Sequence, residues 1–99
     1  MSAPVEIVER VVVMADHPCL PGHFPGQPVV PGVVLLDRVA GCLERGGHGR
    51  LGRISAVKFL APMLPGEVAE LHLTVDRARV RFRITRGDVG ILNGEGELA

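Results

Sequence analysis

Residues 22–37 contain three features whose types and spacing suit acid–base chemistry beside a carbonyl group. His23 stands in a Gly-His-Phe-Pro-Gly segment, Gly32 and Val33 follow a proline, and Asp37 comes fourteen positions after the histidine. An imidazole with an ordinary pKa of about 6.5 is largely neutral at working pH, so it can accept a proton. The segment therefore offers a candidate base, His23, and a candidate acid, Asp37, on either side of an expected helix start.

Gly32 and Val33 are the candidate donors to a developing oxyanion. The first N–H groups of a helix have no partner within the helix, and a glycine lets a ligand oxygen come close. One such donor typically lowers a barrier by about 3 kcal/mol. A base, an oxyanion donor and an acid are together what the loss of water from a 3-hydroxyacyl thioester requires. We expect Asp37 at the border of the helix's polar and apolar faces, where partial desolvation favours its proton-donating form.

The elements that position these residues follow from the hydrophobic pattern. Residues 5–14 predict a strand, and residues 16–32, with five prolines and three glycines, predict a functional loop. Residues 33–45 predict one amphipathic helix that ends at Gly46-Gly47. Four strands are then predicted at residues 51–60, 67–76, 77–86 and 89–98. The pattern indicates a single α+β domain over residues 1–99, in which a curved antiparallel sheet of about five strands wraps one central helix at about residues 32–45.

Composition narrows the classes of function. The 99 residues are 46% hydrophobic with no Trp or Tyr and three Phe, which predicts an aliphatic core. Eleven basic and eleven acidic residues leave no net charge, which argues against nucleic acid as a partner. No stretch is apolar enough to span a membrane and the first residues lack a signal-peptide pattern, so a cytoplasmic protein is expected. Cys19, expected in the loop, and Cys42, expected in the core, lack metal-ligand spacing, and no metal site is predicted.

The motifs themselves resemble those of a known family. His-Phe-Pro-Gly-x-Pro-Val-x-Pro-Gly-Val, followed by the carboxylate of Asp37, looks like the signature of the bacterial 3-hydroxyacyl-acyl-carrier-protein dehydratases. Farther on, residues 57–67 resemble the Lys-Phe-x-x-Pro-x-x-Pro-Gly-Asp strand and turn of that family, although this chain ends the motif with Glu67. The resemblance thus covers most of the chain.

The resemblance implies a hotdog fold and a homodimer, or a higher oligomer of dimers, with active sites at the interface. His23 of one protomer would act as the base and Asp37 of the other as the acid. Gly32 and Val33 would be oxyanion donors, and Phe24 would contact substrate. The acyl group would arrive on the phosphopantetheine arm of an acyl carrier protein, with no other cofactor.

Three positions depart from the family pattern. Relatives with Pro-Gly-Val mostly carry Glu where this chain has Asp37, whereas the dehydratase-isomerase branch has Asp there but usually Cys in place of Val33. Position 41, where the family commonly has a Gln that orients the carboxylate, is Gly41. The lead-in at residues 16–23 and the short chain look more like the compact dehydratases of aryl-polyene and related pigment pathways.

Two other functions stay open at this point. A hotdog thioester hydrolase would use a carboxylate to activate water and would not need the His-Phe-Pro-Gly segment. A non-catalytic acyl-binding subunit of a hetero-oligomer would explain Gly41. Phe59 is among the residues expected to line the acyl tunnel, and His17, His48 and His72 are assigned no role.

Arginine side chains offer two candidate docking areas for an acidic carrier protein. Alternation predicts one basic face formed by Arg77, Arg79, Arg81 and Arg83. Pairing with Glu70, Asp76, Glu95 and Glu97 on the neighbouring strands explains that face better than docking does. The second area lies near the helix ends and contains Arg38, Arg45, Arg50 and Arg53.

Overall fold

Five strands and one helix make up the fold in the computed structural model, which describes residues 3–14 and 29–99. In chain order they are β1 (Val5–Val11), α1 (Gly32–Arg45), β2 (Leu51–Phe59), β3 (Ala69–Asp76), β4 (Arg79–Arg86) and β5 (Val89–Leu98). The predicted α+β architecture, with its single helix after the first strand, is confirmed.

The strands form one antiparallel sheet in the order β1-β3-β4-β5-β2. Strands β3, β4 and β5 follow one another through tight turns, in which Arg77 and Gly87 both have a φ of 57°. Because β1 and β2 pair at opposite sides of this meander, the chain between them, which includes α1, crosses the sheet. The two edges of the sheet are therefore the strands that flank the helix in sequence.

The ends of three strands differ from the predicted ones, because the residues at these ends belong to loops or turns and do not pair in the sheet. The first strand ends at Val11 and not at residue 14, because Val13 leaves the ladder and its carbonyl accepts a hydrogen bond from Gly66 N at 2.8 Å. Strand β3 begins two residues late, because Glu67 belongs to the preceding turn and bonds Leu64 N. Strand β4 begins at Arg79 because the turn takes up two residues.

The core lies between α1 and one face of the sheet. The helix buries Val34, Leu35, Val39, Cys42 and Leu43. The sheet contributes alternate residues, so that β3 and β4 bury Leu71, Leu73, Val75, Val80, Phe82 and Ile84. Phe82 is the only aromatic residue in this described core, and the prediction of an aliphatic core is confirmed. Each such side chain contributes about 1.5–3 kcal/mol when it leaves water, which explains why the helix stays on the sheet.

Three of the four arginines predicted to form one basic face, Arg79, Arg81 and Arg83, lie on the outer face of β4, whereas Arg77 lies in the turn before the strand, and the partners are only partly the predicted ones. Arg79 is aligned with Asp76 on one side and Glu97 on the other. Arg81 is aligned with Glu95, with 4.0 Å between Arg81 Nε and Glu95 Oε2. Arg83 is aligned with His72 on β3 and with Asn93 on β5, and Glu70 is aligned with Thr85. The predicted acidic partner for Arg83 and the predicted arginine partner for Glu70 were therefore wrong.

The end of α1 is tied to β1 by an ion pair. Arg45 Nη2 donates to both carboxylate oxygens of Glu9, at 2.8 and 2.9 Å. The hydrogen bond from Arg45 is the main cause that lowers the pKa of Glu9. Cys42 lies buried beside this pair, as predicted for a core residue, and burial with a hydrogen bond to Glu9 raises the pKa of its thiol to about 11.

Strand β5 has glycines at positions where a side chain would collide with the backbone of β2. A Cβ at Gly94 would lie 2.6 Å from the backbone oxygen of Ala56 and 2.6 Å from Phe82 Cζ. A Cβ at Gly96 would overlap the backbone oxygen of Arg53. The ladder between β2 and β5 also has two irregularities here, between Leu51 and Arg53 and between Ile54 and Ala56.

We predict that Gly94→Ala lowers the free energy of unfolding by about 1–3 kcal/mol, because the backbone carbonyl of Ala56 cannot swing aside as a flexible side chain would. Urea unfolding monitored by circular dichroism measures the change. Gly90→Ala on the same strand is the matched control and should change the stability much less, because the added Cβ would meet only the flexible end of Leu60, at 3.2 Å from Cδ1. A Gly94→Ala variant as stable as the wild type would contradict this account of the close approach.

A second prediction concerns the pH dependence of stability. The pKa of Glu9 is lower in the folded chain than its ordinary value of 4.5, so the carboxylate stabilises the fold above that pH. This contribution is lost as the pH falls through the lowered pKa. Glu9→Gln should therefore be less stable than the wild type at neutral pH, and the difference should vanish in acid.

Urea midpoints measured across the acid range give this difference. Glu44→Gln, which removes the same charge from an exposed position on the helix, is the control and should show no comparable change. A stability difference for Glu9→Gln that stays constant down to the acid limit would argue against the ion pair.

Candidate active site

The candidate site residues divide between described and undescribed parts of the chain. Gly32, Val33 and Asp37 lie in the first turns of α1. His23 and Phe24 lie outside the described residues, as do His17 and Cys19. The geometry below is therefore that of the helix start and its surroundings.

The start of α1 presents backbone donors without a side-chain cap. Pro31 is the N-cap residue, with φ −62° and ψ 143°, and the helix begins at Gly32, one residue before the predicted position. Val34 N donates to the Pro31 carbonyl at 3.0 Å. Among the described residues, no acceptor bonds the N–H groups of Gly32 and Val33. Such a helix start, with the positive end of the helix dipole, suits an oxyanion or another anionic oxygen.

Gly32 has a packing reason as well as a chemical one. A Cβ at this position would lie 2.5 Å from Cε1 and 2.6 Å from Cζ of Phe59, whose ring lies against the helix start. Any other residue would push the ring away from the first turn. The contact joins the end of β2 to the candidate oxyanion donors, and nothing in the sequence pattern pointed to it.

An apolar groove opens beside the helix start and has a volume of about 290 Å³. Phe59 and Leu60 on its rim are more than half exposed, whereas Met63 is buried. Such a lining suits a hydrocarbon chain better than a polar ligand. The groove is lined by Val29, Val30, Gly32, Leu35, Phe59, Leu60, Ala61, Pro62 and Met63.

Asp37 is exposed in the single chain, so the partial desolvation expected for it is not found there. The apolar side of the helix at this level is formed by Val34 and Leu35, which face the sheet, whereas Asp37 lies on the outer side. Val33, one turn before it, is 68% exposed. The described part of the chain therefore leaves both side chains uncovered.

Gly41 lies one turn beyond Asp37, and the space beside it is taken by Arg45. A Cβ at position 41 would lie 3.0 Å from Arg45 Nη1. The guanidinium passes over the glycine on its way to Glu9. A glutamine at position 41 would therefore compete with Arg45 for this space, which gives a physical reason for the departure from the family pattern.

The loop from Leu60 to Val68, here called the β2–β3 loop, supports the residues just before the helix. Val30 N donates to the carbonyl of Met63 at 2.8 Å. Arg86, at the end of β4, donates through Nη1 to Pro62 O at 3.0 Å and to Glu67 Oε1 at 2.9 Å. Sequence reasoning did not single out Arg86, because an arginine at a strand end carries no signal of its partner.

The described residues were also searched for metal-binding groups and for membrane spans. Within residues 3–14 and 29–99, no three His, Cys, Asp or Glu side chains lie close enough together to hold a metal ion. In the same part of the chain, no helix has the length and apolar character needed to cross a membrane.

Comparison with known proteins gives consistent matches. A family model described as ApeI-like, ApeI dehydratase, matches residues 2–95. A curated 3-hydroxyacyl-[acyl-carrier-protein] dehydratase FabZ of Haemophilus influenzae is 34% identical over 93 residues, which are 84% of this chain and 62% of that protein. The FabZ of Mannheimia succiniciproducens is also 34% identical, over 97% of this chain and 77% of its own length. The chain thus spans less than two thirds of some of the curated relatives that it matches.

Solved structures agree with the sequence comparison. The dehydratase heterocomplex ApeI:P from Xenorhabdus doucetiae superposes with a TM-score of 0.83 at 25% identity, over 93% of this chain and 85% of that one. An uncharacterized protein from Erwinia carotovora subsp. atroseptica superposes with a TM-score of 0.82 at 27% identity, over 100% of this chain and 86% of that one. Together with the order of strands and the single helix, these matches show that the chain has the hotdog fold and belongs to the ApeI-like dehydratase family.

Proposed function

We propose that the chain is a 3-hydroxyacyl-[acyl-carrier-protein] dehydratase, which converts a 3-hydroxyacyl thioester into the trans-2-enoyl thioester. The observation that carries the proposal is the start of α1, where the N–H groups of Gly32 and Val33 are available to an oxygen beside an apolar groove. Asp37 follows one turn later on the same helix. The FabZ relatives carry this activity in their names, which supports the same reaction for this chain.

The proposed mechanism assigns one role to each part of the site. His23 removes the proton from the carbon next to the thioester carbonyl, and the negative charge moves onto the carbonyl oxygen. The N–H groups of Gly32 and Val33 donate to that oxygen. Asp37, in its protonated form, gives a proton to the 3-hydroxyl group, which leaves as water while the double bond forms. The reaction as written uses no metal and no cofactor other than the phosphopantetheine arm that carries the acyl group.

A homodimer, or an oligomer of such dimers, is part of the proposal. One edge of the sheet is β2, whose side chains are mostly exposed, and the neighbouring Val33 and Asp37 on α1 are exposed too. An unpaired edge beside exposed apolar residues is suited to pairing with a second copy. His23 of one protomer would then meet Asp37 of the other, and Phe24 would contact the acyl chain.

The substrate class is proposed from the family. The match to ApeI-like dehydratases and the compact motif favour an aryl-polyene or related pigment precursor over an ordinary fatty acyl chain. The carrier would be an acyl carrier protein, and the reaction would take place in the cytoplasm. The single domain that we propose spans residues 1–99.

A second candidate function is that of a subunit in a hetero-oligomeric dehydratase. The structure from Xenorhabdus doucetiae is described as a heterocomplex, and this chain resembles it over nearly its whole length. Gly41, with Arg45 in the space beside it, leaves no amide at position 41 to orient Asp37. In this case the purified chain alone would bind the carrier without turning over its substrate, and activity would appear only with a homologous partner chain.

We predict that the purified protein converts a 3-hydroxyacyl carrier-protein thioester into the enoyl product. His23→Ala and Asp37→Asn should each lower kcat by at least about a hundredfold, because proton transfer by a positioned side chain is typically worth that much. Product formation is followed by mass spectrometry of the carrier-bound acyl group. His72→Ala, on the outer face of β3, is the control and should retain the wild-type rate.

The same assay separates the alternatives. A decrease of about 18 mass units in the carrier-bound acyl group, the mass of one water molecule, identifies dehydration. Release of the free carrier thiol identifies a hydrolase. The absence of enoyl product from the wild-type chain, alone and with a homologous partner, would overturn the proposed activity. Full activity of His23→Ala would overturn its assignment as the base.

A further inference from the structure

We infer that Arg86 and Glu67 are positioning residues for the oxyanion donors, and we call this ion pair the clamp. The inference rests on the proposed function of Gly32 and Val33 and goes beyond it. Arg86 Nη1 lies 2.9 Å from Glu67 Oε1, and both side chains are less than one third exposed. A pair with this partial burial is screened less by solvent than an ion pair on the open surface.

The clamp holds both sides of one residue in the β2–β3 loop. Arg86 Nη1 donates to Pro62 O at 3.0 Å, which lies just before Met63. Glu67 Oε1 accepts from Leu64 N at 2.6 Å, just after Met63. Arg86 Nη1 therefore uses its two N–H groups to connect the Pro62 carbonyl, before Met63, with the Glu67 carboxylate that binds Leu64 N, after Met63. Met63 itself is buried, at 1% exposure.

Met63 transmits this restraint to the helix start. Its carbonyl accepts the hydrogen bond of Val30 N at 2.8 Å. Only Pro31 separates Val30 from Gly32, and proline has a fixed φ, so a shift of Val30 moves the first turn of α1 with it. Val30 is thus linked to Arg86 through two hydrogen bonds by way of Pro62 and through three by way of Glu67.

The opposite side of the loop is restrained independently of the clamp. Gly66 N donates to Val13 O at 2.8 Å, and Leu60 N donates to Ile91 O at 2.8 Å. If the clamp were removed, the ends of the loop would remain in position. The displacement would be largest in the middle of the loop, around Met63. Phe59, whose ring lies against Gly32, precedes Leu60 at the fixed end.

The experiment compares Arg86→Ala with Arg10→Ala on β1. Arg10 is exposed, belongs to neither candidate docking area and makes no side-chain hydrogen bond to the described part of the β2–β3 loop, so its removal changes the net charge equally without loosening that loop. Rates are measured with a 3-hydroxyacyl carrier-protein thioester, and hydrogen exchange of the Val30 amide is measured by NMR. Glu67→Gln, which keeps an oxygen for Leu64 N but loses the charge, is the milder second variant in case Arg86→Ala does not fold.

We expect Arg86→Ala to lower kcat about ten- to a hundredfold with KM changed much less, because small displacements of a catalytic donor have effects of this size. Glu67→Gln should show a smaller loss in the same direction. Protection of the Val30 amide should fall about tenfold or more, while that of amides in β3 stays unchanged. Arg10→Ala should behave as the wild type in both measurements.

Wild-type kcat in folded Arg86→Ala or Glu67→Gln would overturn the inference, as would unchanged protection of Val30. A general loss of protection across the sheet would also overturn it, because the residues would then be structural only. If the wild type forms no enoyl product, the proposed function fails, and the exchange of Val30 still decides whether the clamp holds the helix start.

Discussion

One helix must cover one face of a five-stranded sheet, and the position of that helix determines everything else in this fold. The 14 residues of α1 bury five side chains against strands that contribute a mostly aliphatic surface. Because chain connections place β1 and β2 at opposite edges, the helix is attached to both edges of the sheet. Its last turn is held by Arg45 and Glu9, and its first turn by Val30 and Met63. The chemistry that we propose takes place at the second of these attachments.

The helix start combines two demands that usually conflict. The first turn packs against Phe59, and an oxyanion site requires backbone N–H groups that remain accessible. Gly32 satisfies both, because the absence of a side chain admits the ring on one side and an oxygen on the other. Pro31 adds a fixed φ immediately before it. The Pro-Gly pair is therefore as much a packing solution as a catalytic one.

Periodicity and turn residues were sufficient to predict the elements of this fold. The alternation of β3 and β4 and the amphipathic pattern of α1 are strong signals, and the observed helix begins only one residue before the predicted one. The irregular ends were less predictable, because Val13 and Glu67 leave the ladder for partners far away in sequence or within a turn. Hydrogen bonds such as that of Arg86 to Pro62 depend on loop geometry, which local pattern does not encode.

The candidate site was predictable in its residue types but not in its environment. Gly32, Val33 and Asp37 were recognised from spacing, and their positions on α1 agree with that prediction. Partial desolvation of Asp37 was expected from its place at the border of the polar and apolar faces of the helix, yet the side chain is exposed in one chain. A helical wheel predicts which side of a helix faces the sheet of its own chain, but it carries no information about a second subunit. The exposure of Asp37 and Val33 is what directs the proposal toward a site shared between two protomers.

The most direct test of that shared site is a subunit-mixing experiment with His23→Ala and Asp37→Asn chains. Each inactive variant is purified, and the two are unfolded together and refolded in equal amounts. If base and acid come from different protomers, random pairing makes half of the dimers mixed and one of their two sites whole, so about a quarter of the wild-type rate returns. Refolded mixtures that stay as inactive as either variant alone would contradict a site built from two chains.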